Sequence, residues 1–176
     1  VYCNAVKQGS DYTRRIGRAI IGRSILLRYE IAYDTPAQSQ LRGNAIRLML
    51  VWDKQPSGSP LTTPAPIFSD INTNQTIYST LNLNQRERFK VMWDQIIPVD
   101  GNKYDAGGQL IGGAPRPTAG MVYKKFNVRT VFREDQGGDE AAEVMTNALL
   151  FVMVPQFDFA GHNRVLFNYR YRFEDE

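Results

Sequence analysis

The chain has 176 residues, a formal net charge of +3 and 43% hydrophobic residues, a length suited to one domain (1–176) that buries roughly 70% of its unfolded surface. No apolar run approaches the roughly 20 residues that cross a bilayer, and no charged-then-apolar leader opens the chain, so membrane insertion is not expected. A single cysteine, Cys3, excludes an internal disulfide framework, and with His162 as the only histidine neither a zinc site nor a Cys–His dyad is credible.

Taken in chain order, the opening "VYCNAV" reads as a strand. The next runs over 24–34, with Ile25, Leu27, Tyr29, Ile31 and Tyr33 on one face, and "RAIIGRS" extends it backwards. In 45–53 the same alternation puts Ile46, Leu48, Leu50 and Trp52 together. Pro66 suits the first turn of a short helix near "APIFSDI", 65–71. Residues 88–97 align Phe89, Val91, Trp93 and Ile97. Residues 124–133 set Phe126, Val128, Thr130 and Phe132 against Lys125, Asn127, Arg129 and Arg133. "NALLFVMVPQ", 147–156, is an unbroken apolar run suited to burial on both sides. The last strand, 164–173, sets Val165, Phe167, Tyr169, Tyr171 and Phe173 against Asn168, Arg170 and Arg172.

These make seven or eight strands with little helix, an all-β pattern. Residues 54–87 are rich in Pro, Ser, Thr and Asn, and residues 98–120 carry six glycines and three prolines. Connections that long point to an antiparallel sandwich with crossing connections rather than an up-and-down barrel. Trp52-Asp53 and Trp93-Asp94 stand 41 residues apart, an interval found in WD-repeat propellers, but the Gly-His partner of each blade is missing and the loops are uneven. Both tryptophans are expected in the sandwich core, with Asp53 and Asp94 on the opposite faces of their strands.

Catalytic constellations are scarce, and no enzymatic activity, metal or cofactor is expected. There is no G-x-S-x-G elbow. "GGQLIGG", 107–113, lacks the Lys-Ser/Thr of a phosphate loop. "NQT", 74–76, matches a glycosylation acceptor of a length that arises by chance. His162 reads as a loop residue after a turn. Acids concentrate at 134–143 (Glu134, Asp135, Asp139, Glu140, Glu143), in a stretch that reads as a solvated loop. Bases concentrate at the other end: residues 1–28 hold Lys7, Arg14, Arg15, Arg18, Arg23 and Arg28 against Asp11. Arginine contacts phosphate bidentately and an aromatic such as Tyr12 stacks on an unpaired base. "YTRRIGRAIIGR" therefore suits sequence-tolerant single-strand binding, and equally suits a solvated face or arginines that pair with acids of a neighbouring chain.

"GSDYTRRIGRAI", "IRLMLVWDKQPSG", "LNLNQRERFKVMWDQ", "GGAPRPTAG", "KKFNVRTVF" and the closing "FNYRYRFED" together resemble the capsid proteins of small circular single-stranded DNA viruses, in the geminivirus-like and related lineages. The motifs occur in family order over nearly the whole chain. The resemblance implies a single eight-stranded jelly roll of two antiparallel sheets with long loops. It also implies a homo-oligomeric icosahedral shell of about sixty copies around a circular single-stranded DNA genome. The expected location is the virion, with assembly in the host nucleus. A disordered, arginine-rich arm is expected ahead of Val1: about sixty subunits at +3 leave most of a genome of about a thousand nucleotides unneutralised.

On this reading Lys7, Tyr12, Arg14, Arg15 and Arg18 face the interior and contact nucleic acid. Lys124, Lys125, Arg170 and Arg172 either join them or bind acids at subunit contacts. Changing Arg14, Arg15 and Arg18 together to Glu is expected to reduce packaging with the fold intact. The alternatives are the capsid of a small RNA satellite virus and a non-viral jelly-roll carbohydrate-binding module.

Overall fold

Alternation of apolar and polar residues commits most of this chain to strands, because a strand sends successive side chains to opposite faces and only one set needs burial. The computed structural model describes residues 1–33, 44–56, 61, 64–69, 77–99, 117–133, 143–156 and 163–176. Seven strands form among them: β1 (Ala19–Tyr33), β2 (Asn44–Asp53), β3 (Phe89–Val99), β4 (Thr118–Phe132), β5 (Val144–Thr146), β6 (Ala148–Pro155) and β7 (Asn163–Asp175). They pair antiparallel into a four-stranded sheet, β5-β4-β1-β7, and a three-stranded sheet, β3-β2-β6.

The main core lies between the sheets. Ile25, Leu27, Tyr29 and Ile31 of β1 face Ile46, Leu48, Leu50 and Trp52 of β2 and Leu149 and Phe151 of β6. Each such aliphatic side chain contributes about 1.5–3 kcal/mol when fully buried. Trp52 meets Phe126 edge-to-face at 5.2 Å between ring centroids. Trp93 is half-buried against this core, beside a bulge that leaves Met92 unmatched between the Leu50–Trp93 and Val51–Val91 pairs.

β2 and β6 are buried on both faces. For β6 the unbroken apolar run requires this. For β2 the alternation suggested one solvated face, yet Met49 and Val51 are as buried as their neighbours. The reason is a covering segment. A single 3-10 turn (Ala65–Ile67) and the Phe68–Leu81 bridge lay Ile67 and Phe68 over Met49, Val51 and Phe89. Arg47 fastens this cover. Its Nε and Nη2 donate to the two Asp94 oxygens at 2.8 and 2.5 Å, and its Nη1 donates to the carbonyls of Ile77 and Ser79 at 3.2 and 2.6 Å. Asp53, fully buried on the same side, receives Arg88 bidentately at 2.9 and 2.9 Å. Both Trp-Asp aspartates thus lie off the core face of their strands, as expected, and each closes an arginine fork.

Against β7, Arg23 of β1 is a bulged extra residue between the Gly22–Phe173 and Ser24–Arg172 pairs; against β4 the register also shifts there, but the extra residue is on β4, between Val128 and Lys125. Gly22 beside it makes room for β7: a Cβ at Gly22 would stand 2.0 Å from the Tyr171 hydroxyl.

Two expectations are corrected. Seven strands, not eight, form among the described residues, and "VYCNAV" is not one of them. It pairs with β6 only over residues 1–3: Phe151 N donates to the Val1 carbonyl at 2.8 Å, the Val1 terminal ammonium to the Phe151 carbonyl at 2.9 Å and Cys3 N to the Leu149 carbonyl at 2.7 Å, around the isolated Tyr2–Leu150 bridge. Asn4 turns inward there instead of continuing a ladder; its amide donates to Thr130 Oγ1 and the Asn147 carbonyl. The helix expected at 65–71 is reduced to the 3-10 turn. The glycine-rich stretch 107–113, "NQT", His162 and the acids 134–140 lie outside the described residues.

Candidate nucleic-acid interface

Residues 7–16 fold back into a closed loop. Arg15 N donates to the Lys7 carbonyl at 2.8 Å, Gly9 N to the Arg15 carbonyl at 2.9 Å, and Arg14 N to the Asp11 carbonyl at 2.9 Å. Ile16 N donates to Asp175 Oδ1 at 3.0 Å, which ties the loop to the end of β7. The loop therefore stands beside a strand more than 150 residues distant in sequence, and a groove of about 990 Å³ opens between them. Lys7, Tyr12 and Arg14 of the loop line it together with Arg23 of β1 and Tyr169, Arg170, Tyr171, Arg172 and Glu174 of β7. Tyr12 is fully exposed.

Two of the groove's arginines are paired with acids. Arg23 Nη2 reaches Glu174 Oε2 at 2.5 Å and Arg23 Nη1 donates to Asn127 Oδ1 at 2.6 Å. That hydrogen bond holds the Glu174 carboxyl below the usual carboxylate range and raises the Arg23 guanidinium further. Arg14 meets Asp11 at 3.2 Å. Burial raises the Tyr171 phenol to about 12 and raises that of Tyr169 as well, so both are neutral at physiological pH. The bases of the loop and of β7 can hold a phosphate backbone, and exposed Tyr12 can stack an unpaired base.

The nine residues expected to contact nucleic acid separate into distinct environments. Lys7, Tyr12, Arg14, Arg170 and Arg172 meet in the groove. Lys125 lies on the outer face of the four-stranded sheet, in one cross-strand row with Ser24 and Arg172. Lys124, its neighbour, shares the inward row of Ile25 and Tyr171 and is half-buried, because adjacent strand residues point to opposite faces. Arg18 is exposed at the start of β1, its Nε donating to the Phe132 carbonyl at 3.2 Å, outside the groove lining.

Arg15 is corrected: it is 1% exposed and serves the fold. Its Nε donates to the Val6 carbonyl at 3.1 Å and its Nη1 to the Gly17 carbonyl at 2.8 Å. The guanidinium lies 4.3 Å from the Phe132 ring centroid, with Glu143 at 3.8 Å. Burial lowers its pKa, opposed by Glu143 and Asp175. "RR" at 14–15 gave no sign of which arginine turns inward; the clue is the loop closure itself, which sends consecutive side chains opposite ways.

Outside those nine, Arg23 lines the groove and Arg28 lies on the outer sheet face. Arg23 was legible only as part of the basic stretch, since its aim is set by the bulge. Arg28 sits on the polar face of β1, in one row with Met121 and Asn168. Among the described residues no group of His, Cys, Asp or Glu is placed to hold a metal ion, and no helix is long and apolar enough to cross a membrane. No curated protein sequence matches the chain. Residues 1–176 match the geminivirus coat protein/nuclear export factor BR1 family, and the chain belongs to that family.

Proposed function

We propose that this coat protein self-assembles into an icosahedral shell of about sixty copies and packages circular single-stranded DNA, with assembly in the host nucleus. In this reading the two sheets are a single jelly-roll coat domain. Its support is the chain path: β1, β4, β5 and β7 share one sheet while β2, β3 and β6 share the other, so the chain crosses repeatedly between layers. The observation that carries nucleic-acid packaging is the groove that joins the loop's Lys7, Tyr12 and Arg14 to Arg170 and Arg172. Its bases neutralise phosphates without selecting sequence, as a coat subunit that meets every part of a genome requires. Arg15 is no part of this surface. Lys125, Arg28 and Arg18 add positive charge around it.

The test is expression of the wild type and of a Lys7→Glu/Arg14→Glu/Arg172→Glu variant, followed by negative-stain microscopy and nuclease typing of the extracted nucleic acid. The expected result is uniform particles from both proteins, with DNase-sensitive single strands strongly depleted in the variant. Undiminished packaging would reject the groove. RNA in place of DNA would favour the satellite-virus reading. Monomers or dimers across salt and pH would reject the shell and leave a nuclear export factor, the other role in the family's description.

A further inference from the structure

Four exposed bases share the outer face of the four-stranded sheet. Cross-strand register sets Lys125, Ser24 and Arg172 in one row, Tyr123, Leu26 and Arg170 in the next, and Met121, Arg28 and Asn168 in a third. Lys125, Arg28, Arg170 and Arg172 are exposed, and no ion pair among the described residues engages them. At one end of the sheet Glu174 and Glu176 are already matched, by Arg23 and Arg129. At the other end Glu30, in the row of Ala119 and Leu166, closes the basic strip.

One aromatic ring stands in the middle of this strip. Tyr123 is 48% exposed, and the core does not call for it, because alternation sends Val122 and Phe126 of the same strand inward. Arg170 and Arg172 are two residues apart on one face, hence about 6.8 Å along β7. They belong to this face and to the groove lining at once, since β7 is the edge strand of its sheet among the described residues. The groove and the sheet face are therefore continuous.

We propose that a single nucleic-acid strand leaving the groove continues across this face and stacks an unpaired base on Tyr123. The inference rests on the packaging reading and adds to it a second stacking ring and a second stretch of backbone contact. Charge complementarity names the occupant: four bases with no acid among them in three successive rows suit a polyanion. The backbone follows Arg170 and Arg172, and its bases lie across Leu26 towards the Tyr123 ring, with Arg28 and Lys125 on either side in sequence of rows. A duplex keeps its bases stacked on one another, so only an unpaired strand gains from the ring. The strand's path ends at Glu30, whose charge repels phosphate.

Fluorescence anisotropy on the full chain tests this, with a thymidine oligonucleotide of about 16 nucleotides and its duplex. Wild type is compared with Tyr123→Ala, Tyr123→Phe and Lys7→Glu/Arg14→Glu. Tyr123→Ala should weaken single-strand binding roughly tenfold and leave duplex binding unchanged. Tyr123→Phe keeps the ring and should bind as the wild type does. Photocross-linking of an iodouracil oligonucleotide to the wild type reads the same contact without a substitution, and a product at Tyr123 is expected. No product there would overturn the proposal, as would an equal loss in Tyr123→Ala and Tyr123→Phe. Unchanged affinity in Tyr123→Ala, with Lys7→Glu/Arg14→Glu weakened, rejects the sheet contact and keeps the groove. Unchanged affinity in every variant rejects both. A Tyr123→Ala variant that alters only the oligomeric state would give the face to a second copy and overturn the proposal.

Discussion

Gly120 lies directly opposite Tyr29 in the β1–β4 ladder, and the tyrosine ring fills the space where a side chain at 120 would start: a Cβ there would stand 2.3 Å from the ring's Cζ. Tyr29 is buried and leans on Trp93 at 6.0 Å between centroids, so it has nowhere to swing. Gly120→Ala should therefore destabilise by about 1–3 kcal/mol through overpacking. In a Tyr29→Leu background the same change should cost clearly less. Urea denaturation of the four-member cycle measures this; equal costs in both backgrounds would mean that the backbone relaxes instead.

Arg14 and Arg15 are neighbours with opposite roles. Arg15→Glu places a second acid beside Glu143 and leaves the Val6 and Gly17 carbonyls without their donor, so a loss of about 3–5 kcal/mol is expected. Arg14→Glu, at the surface, should stay within about 0.5 kcal/mol of the wild type. Thermal melts compare the two. The expected loss at position 15 means that exchanging Arg14, Arg15 and Arg18 together should unsettle the fold, so packaging is better tested without position 15.

Removing Arg47 should release the covering segment. Arg47→Ala leaves Asp94 without its fork and frees the Ile77 and Ser79 carbonyls. The expected cost is again about 3–5 kcal/mol, with new protease cleavage near residues 77–81. Limited proteolysis with mass spectrometry checks it; a digest pattern like the wild type's would assign the cover's hold to Ile67 and Phe68 alone.

Glu174 is the acid that tempers the groove. Because Arg23 holds its carboxyl below the usual range, it is charged at neutral pH and offsets one of the groove's bases. Glu174→Gln should strengthen binding of a single-stranded oligonucleotide several-fold and steepen its salt dependence by about one phosphate equivalent. In the wild type the same strengthening should appear only as pH falls through the depressed value, below 4.5. The ion pair's own contribution to stability runs the other way in pH: present above the unfolded value and lost as acid protonates the carboxylate. Fluorescence anisotropy at several salt concentrations decides; unchanged affinity would place the strand elsewhere.

At alkaline pH two buried acids act together. Burial holds Cys3 near 12 against an ordinary 9.0, and Tyr171 near 12 against 10.0. Both protons leave more readily from the unfolded chain. Stability supplied by the neutral forms is thus complete below about pH 9 and falls progressively as pH rises towards 12. Cys3→Ala should make that decline shallower, as read from melting temperature between pH 8 and 11.

Much of the fold is legible in the sequence because a half-buried strand has a local signature. The alternation of Ile25 to Ile31, Ile46 to Trp52 and Val165 to Phe173 identified β1, β2 and β7 and the residues they bury. The unbroken run of β6 announced burial on both sides, and the order of motifs announced the family that the chain's match bears out. The basic stretch 7–28 and the arginines of β7 were also visible as charge.

What the tertiary structure alone decided is where those charges go. Composition counts Arg14 and Arg15 alike, but closure of the 7–16 loop buries one and exposes the other. Periodicity placed Arg170 and Arg172 on a polar face without saying that Ile16 and Asp175 would bring Lys7, Tyr12 and Arg14 beside them. β2 looked half-exposed until a segment remote in sequence covered it, and "VYCNAV" looked like a strand until Asn4 turned inward to Thr130 and Asn147. The physical reason is common to all of these. Burial of an apolar face is a local demand that each strand states for itself, whereas the pairing of loops, forks and rims depends on contacts between segments that the sequence keeps far apart.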